Sequence, residues 1–530
     1  MKHIISIIIL LSSAIAFAQN EFHVFPLDGK TIAGTPNGNG SIDNPWDLQT
    51  ALSQSPEYVN GGDTIWIHEG VYNGRFMSLI RSSNSKFITV SAFKDDTVIL
   101  DGNVSTEGKY VLEVKGGKVI FRNFEVTYLG DFPRLYSDKN IRGANGINHI
   151  SGECKFQNLK IYNIPGLGFG SWKSTGGSVI EDCIIYNNGI IGKKRGFGEG
   201  MYVQNHSDNT RIIRNNIIFN NYYKGVEIWS ASSGQNKEFV KNIALIGNVI
   251  FNNGIPSGRH QGNVIIASND RESVNIAKHI KVENNVLYHN VDFIKNNKLG
   301  DASSLLLGFI KRALVEDITV TDNVIIGQNN AFSILHAKSV LFKNNTVYTG
   351  YVHFDRSTLP GLESQLIQMD HNNYFSKRGV PFRISKHKDY TLKDWQNTFK
   401  IDTHSSAGAL KDFEINPVLK VSPLHTKPSH FNVVLLEKNG NDVEVNFSDY
   451  NIEEGMTYKI YDIENSHKVL KSGEITKTLK VSFPMNLTNF EKPLHNTLAI
   501  KSADNFGVFR IEFEKSEKKS FFKRLFGWLF

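Results

Sequence analysis

The residues best placed to do chemistry fall between Gly198 and Ser230. GEGMYVQN supplies Glu199, Tyr202 and Gln204, and KGVEIWS supplies Lys224, Glu227 and Trp229. KKRG, just upstream, adds Lys193, Lys194 and Arg195, and the next unit adds Arg259, His260 and Gln261. In each unit two short β-type runs flank an Asn-Asn turn. If such units stack about 4.8 Å apart, equivalent positions become neighbours. Glu199 then meets Glu227, and Arg195 meets Lys224. Two mechanisms fit such a wall. In an elimination, a base takes the proton α to a uronate carboxyl while a cation neutralises that carboxyl; Lys224, Arg195, His260 and Tyr202 are the types that serve. In a hydrolysis, two carboxylates flank a glycosidic bond, about 5 Å apart for retention and further for inversion; Glu199 and Glu227 are the natural pair and Asp270 a third candidate. The catalytic candidates are therefore Glu199, Glu227, Lys224 and His260. The substrate-binding candidates are Arg195, Tyr202, Gln204, Trp229 and Arg259, since rings stack on sugars and cations hold acidic groups. Each taken singly also fits a solvated side chain or loop ion pair.

The elements that must position them repeat. FRNFEVTY, FQNLKIYN, EDCIIYNN, RNNIIFNN, GNVIFNNG, ENNVLYHN, TDNVIIGQ and KNNTVYTG align at Phe124, Leu159, Cys183, Asn216, Asn248, Asn285, Asn323 and Asn345, with successive spacings from 22 to 38 residues. A fixed unit with variable insertions marks a solenoid, in which one coil cannot bury its inner face alone but stacked coils can. The recurrent Asn is expected to face inward and form an amide ladder, with a structural role, at a turn that tolerates left-handed backbone. A second set of runs, GINHI, GLGFGSW, GMYVQN, GVEIWS, NVIIAS, SLLLGF and FSILHA, is expected to stack as one parallel sheet. Alternation turns Asn148, Gly168, Tyr202, Gln204, Glu227 and Trp229 outward, then Ile265, Ala267, Leu306 and Gly308. The polar wall is thus confined to the middle coils.

Residues 44–103, with a short helix at 47–54 capped by Asp47 and the GDTI…GVY segment, resemble the N-terminal end of right-handed parallel β-helix proteins of the pectate-lyase-like superfamily. Residues 392–419 resemble the closing segment of such solenoids, with Trp395 on a short helix and His404 in a capping turn. The resemblance implies an all-β chain: a right-handed parallel β-helix solenoid, followed by a small antiparallel β-sandwich, acting on a polysaccharide. The run Arg195, Gly196, Gly198, Gly200, Met201, Tyr202, Gln204, Asn205 is also similar to a glycine-rich strand in a group of exported β-helix proteins. Many of those carry His where this chain has Phe197 or Glu199. The paired acidic and His-Gly arrangement of polygalacturonase-like hydrolases is missing, as is the acidic calcium cluster of pectate lyases. Calcium is possible as the neutralising cation of an elimination but unsupported, and no other cofactor is expected.

The expected division is a signal peptide over residues 1–18, a β-helix with N-terminal cap over 19–425, a β-sandwich over 426–515 and a basic amphipathic tail over 516–530. Lys2 and His3, the apolar run from Ile4 to Phe17 and Ala16-Phe17-Ala18 have the form of an export signal cleaved before Gln19. This places the protein outside the cell, in the periplasm or at the cell surface. The net charge is +7, but the last sixteen residues hold five cations and one acid. The body is close to balance, which argues against nucleic acid as partner. The tail, with Trp528 and several Phe among Lys523 and Arg524, reads as a membrane-surface anchor, a docked helix or a sorting signal. Cys154 and Cys183 sit at different positions of their repeats and are expected to be free thiols rather than a disulfide, and no Cys/His spacing resembles a zinc site. A monomer is expected. The rival reading is a non-catalytic carbohydrate-binding or adhesin rod.

Overall fold

The computed structural model describes residues 19–29, 32–105, 109–135, 144–231, 237–258, 262–270, 272–291, 303–327, 332–496 and 499–515. Residues 1–18, expected to be an export signal, the tail and the candidates Arg259 and His260 lie outside the described residues. Three 12-stranded sheets run the length of the solenoid. One coil shows the winding: Arg211–Arg214 lies in the first sheet, Ile217–Phe219 in the second and Val226–Ser230 in the third. Each strand pairs in parallel with its equivalent on the coils before and after, as Tyr202 with Glu227 and Ile218 with Ile250. The exception is at the C-terminal end, where Phe382–Ile384 pairs antiparallel with Lys388–Tyr390. Parallel strands joined by crossovers wind right-handed.

Alternation sends one apolar residue per strand inward, so Ile213, Ile218 and Ile228 of a single coil are all fully buried. Each such side chain contributes roughly 1.5–3 kcal/mol by leaving water. The turn between the first and second sheets carries the expected ladder. Asn248 Oδ1 accepts from both the backbone N and Nδ2 of Asn216, each at 3.0 Å, and the pattern repeats through Asn285, Asn323 and Asn345. It runs on to Asn372 and ends on Asp402. The left-handed backbone belongs to the residue before each ladder Asn, as at Asn215 (φ 53°), Asn284 (φ 55°) and Asn344 (φ 57°). A second ladder, Asn188 to Asn221, Asn253 and Asn263, lines the turn after the second sheet.

Both ends are capped. The helix Leu48–Ala51 begins with Asp47 accepting from Thr50 N at 3.0 Å. The helix Leu392–Phe399 drives Trp395, fully buried, against Phe354 and Phe382. Beyond the last parallel strand, Ser406–Ala409, an antiparallel five-stranded sheet starting at Val418 and a two-stranded sheet enclose their own core of Val433, Phe447, Phe483 and Phe509. Of the run TLAIKSA, residues 499–503 form no strand; Lys501, Ser502 and Ala503 instead reach the solenoid at Asn252 and Asn290. Cys154 and Cys183 are buried free thiols. No helix among the described residues is long and apolar enough to cross a membrane.

Candidate functional site

Outward residues of the third sheet form a single file through the register: Glu113, Asn148, Gly170, Tyr202, Glu227 and Ile265. Gly168, expected to face outward, does not. A Cβ there would press on Asn188 Nδ2 at 2.7 Å and Ile185 Cγ2 at 3.1 Å, so its open side meets the core.

The file's polar centre is Tyr202 and Glu227, directly paired on adjacent coils. Glu199 stands at the end of the loop that feeds the Tyr202 strand, within hydrogen-bond reach of the Glu227 side chain. Glu227 is 7% exposed. Burial, then the charge of Glu199, push its carboxyl up to about 8, against the opposing pull of Lys224 and Arg195. It is thus a carboxylic acid at neutral pH with its deprotonated form close at hand. Burial first, then the charges of Glu227 and Glu199, keep the Tyr202 phenol protonated well above its usual range.

The cations arrive on a small hairpin. Ile190–Ile191 pairs antiparallel with Gly196–Phe197, and Lys193 to Arg195 form its exposed tip. Two glycines let it lie flat on the solenoid. A Cβ at Gly196 would collide with Tyr222 O, and Gly198 has φ +97° with Gly189 Cα in the way. Arg195 Cζ sits 4.4 Å from the Tyr223 ring centre and Lys224 Nζ 3.8 Å, so one aromatic ring gathers both cations beside the carboxyl pair.

Aromatic residues flank this centre along the axis. Trp172 tilts against Tyr202 with ring centres 5.1 Å apart and donates from Nε1 to Asn148 Oδ1 at 2.5 Å. On the other side Trp229 meets the exposed Phe309 edge-on at 4.9 Å. The structure therefore brings together Glu199, Glu227, Lys224, Arg195, Tyr202 and Trp229. Gln204 is buried and donates to Trp229 O at 3.2 Å, holding the wall rather than facing solvent. Asp270 is likewise buried, and its carboxylate accepts from the backbone N of Glu272, Val274 and Asn275, organising its own loop. Sequence reasoning missed Trp172, Tyr223 and Phe309. Trp172 ends the run GLGFGSW and had a detectable signal in its place on a repeated strand; Tyr223 and Phe309 lie in loops, whose reach no periodicity predicts.

Among curated proteins none matches this sequence. Solved structures with a similar winding include pectate lyase Pel9A (15% identity, 69% of this chain and 78% of that one, TM-score 0.41). An alginate lyase from Paenibacillus sp. str. FPU-7 is 16% identical over 68% of this chain and 95% of its own, with a TM-score of 0.34. A GH136 lacto-N-biosidase from Eubacterium ramulus is 11% identical over 73% of this chain and 66% of its own, at 0.42. At these scores the likeness carries no argument about the reaction. Residues 71–250 match the family model described as "Right handed beta helix region", which is the architecture the three sheets display.

Proposed function

We propose that the protein is an exported enzyme acting on an acidic polysaccharide laid along the outer face of the third sheet, and that it cleaves the chain by elimination. The observation that carries this reading is the buried Glu227 carboxyl, paired with Tyr202 on the adjacent coil and beside the cations gathered on Tyr223, where burial and the charge of Glu199 push it up to about 8. A group with that affinity exchanges protons near neutral pH, as a general base or acid must.

In the elimination, Lys224 and Arg195 neutralise the uronate carboxyl and so acidify its α-proton. The deprotonated Glu227 carboxylate takes that proton. Its electron pair becomes a carbon–carbon double bond as the bond to the glycosidic oxygen breaks. Tyr202, still carrying its phenol proton, donates to the departing oxygen. The Trp172 and Trp229 rings offer stacking surfaces for sugars on either side.

Incubation with a panel of acidic and neutral polysaccharides tests this. The proposal expects new ultraviolet absorbance from an unsaturated uronate, with an acidic polymer and not a neutral one. New reducing ends without that absorbance would make the enzyme a hydrolase. Retention on a polymer with no products would make the wall a binding surface, as in an adhesin.

A further inference from the structure

We propose that Asp370, His371 and His404 form a binding site for a first-row divalent cation of the zinc type, clipping the last coil of the solenoid to its closing segment. Asp370 ends the last strand of the first sheet, Ile367–Asp370. His371 occupies the left-handed turn position (φ 55°) that holds Asn or Asp on earlier coils, such as Asn215, Asp322 and Asn344. His404 belongs to the closing turn, two residues after the left-handed Asp402. Winding, not sequence proximity, brings the three together.

Their donor atoms converge. Asp370 Oδ2 lies 2.9 Å from His404 Nδ1 and 3.1 Å from His371 Nδ1, and one ligand atom from each residue falls within 4.8 Å of the others. Asp370 Oδ1 accepts from the backbone N of His404 at 2.8 Å, which fixes the carboxylate with its second oxygen toward the two rings. The imidazoles lie nearly parallel, with centres 4.9 Å apart at an angle of 23°. Ligands bonded at roughly 2.0–2.2 Å to a tetrahedral ion stand about 3.4 Å from one another; the two Asp370–His contacts are within a few tenths of an ångström of that, and rotation of the exposed imidazoles sets the third edge. Two imidazoles and a carboxylate suit zinc, nickel or copper, whereas magnesium and calcium prefer all-oxygen sites. The carboxylate already bonded through its other oxygen is the kind of outer support that orients a ligand. Both histidines are more than half exposed, which leaves the remaining positions to water and makes the ion exchangeable. Its role is mechanical. The terminal edge of a solenoid exposes unpaired backbone, and a cross-link between the last coil and its cover resists fraying there.

The test uses the chain from Gln19 onward, purified with any affinity tag removed and stripped with chelator. Zinc is titrated by calorimetry, and cobalt is followed by its visible absorption. The expected result is one ion per chain, visible cobalt bands, and a rise in melting temperature with zinc. H371A, H404A and D370N should each weaken binding about tenfold or more and abolish the rise. Melting temperatures without metal should stay near the wild type, because both imidazoles are largely exposed and the Asn of D370N keeps an acceptor for the His404 backbone N. H279A removes another exposed histidine that pairs with an aspartate, Asp317 at 3.2 Å, and should leave binding unchanged. Failure of the wild-type chain to bind zinc below millimolar concentration would overturn the site, leaving a hydrogen-bonded triad. Stoichiometric binding that survives H371A with H404A would equally overturn it.

Discussion

The second and third sheets are built from the same coils, yet their outer faces have opposite fates. Outward from the second sheet, Tyr162, Tyr186, Phe219 and Phe251 stack face to face with centres 5.2, 5.0 and 4.9 Å apart, close to the coil rise. Phe506 of the C-terminal sandwich continues the stack on Tyr288 at 3.9 Å. These rings form one buried cluster with Val434, Leu436 and Val508 of the sandwich. Outward from the third sheet the equivalent file is Asn148, Gly170, Tyr202 and Glu227, with polar members and no stack of rings. A repeated backbone thus offers several identical walls, and the outward residue alone decides which is filled by the protein itself and which is left for a ligand. A file of rings at about 4.8 Å spacing is a large apolar surface that must be covered. A file with polar members makes no such demand, even where Asn148 and Glu227 are themselves largely buried.

The comparison breaks most visibly at Phe219. F219A on the covered wall should cost about 3–5 kcal/mol, the usual loss for a buried ring, and loosen the sandwich; denaturant unfolding measures it. W229A on the open wall should change stability by less than about 1 kcal/mol while weakening retention on the acidic polymer. Equal losses of stability at the two sites would erase the distinction between the walls.

The ladder at the edge of the covered wall comes next. Asn285 donates from Nδ2 to Leu245 O at 2.9 Å and to Asn323 Oδ1 at 3.0 Å, and accepts from Asn248 N at 2.8 Å. N285A strands these groups in the core, at about 1–3 kcal/mol for the set. Unfolding that matches the wild type would show that the ladder is dispensable.

The smallest effect is a pH dependence confined to the open wall. Glu227 is raised in the folded state to about 8 from an ordinary value near 4.5, so between those values the folded chain holds more protons than the unfolded one. Its contribution is intact below the lower value and is lost as pH rises toward the upper one, costing on the order of 1 kcal/mol or more at the alkaline end. Thermal melts of E227Q should therefore fall less steeply with pH across that window than those of the wild type. Parallel curves would mean that Glu227 titrates normally.

The winding was legible because its signals are periodic. Asn216 to Asn345 recur with the same neighbours, and the ladder follows from that recurrence. Asn372 escaped because HNNY lacks the apolar run that marked the other units, and the second ladder escaped because Asn188, Asn221 and Asn253 follow the short second-sheet strands and look like ordinary polar turn residues. Pairing of Tyr202 with Glu227 was also legible, since coil stacking converts a sequence period into a neighbour relation. Contacts made by loops were not. Nothing in KKRG announces a hairpin that lies on Tyr223, and nothing in Lys501, Ser502 and Ala503 tells that they reach Asn252 and Asn290. Arg211 is the clearest limit. It begins the strand Arg211–Arg214, whose alternation points it inward, and it is fully buried on Ser171 and Thr175 with its guanidinium pushed down to about 9 by that burial. A charged residue at a core position has no sequence signal, because only the surrounding hydroxyls make it tolerable.

The carboxyl pair on the open wall is the centre of this account, and the pH profile of its turnover tests it most directly. With an acidic polymer that the wild type cleaves, the rate should rise along a limb with an apparent pKa near 8, the value at which Glu227 gives up its proton. E227Q should lower the rate by about 100-fold or more and remove that limb while melting like a folded chain. Full turnover in E227Q, with the limb unchanged, would contradict the account.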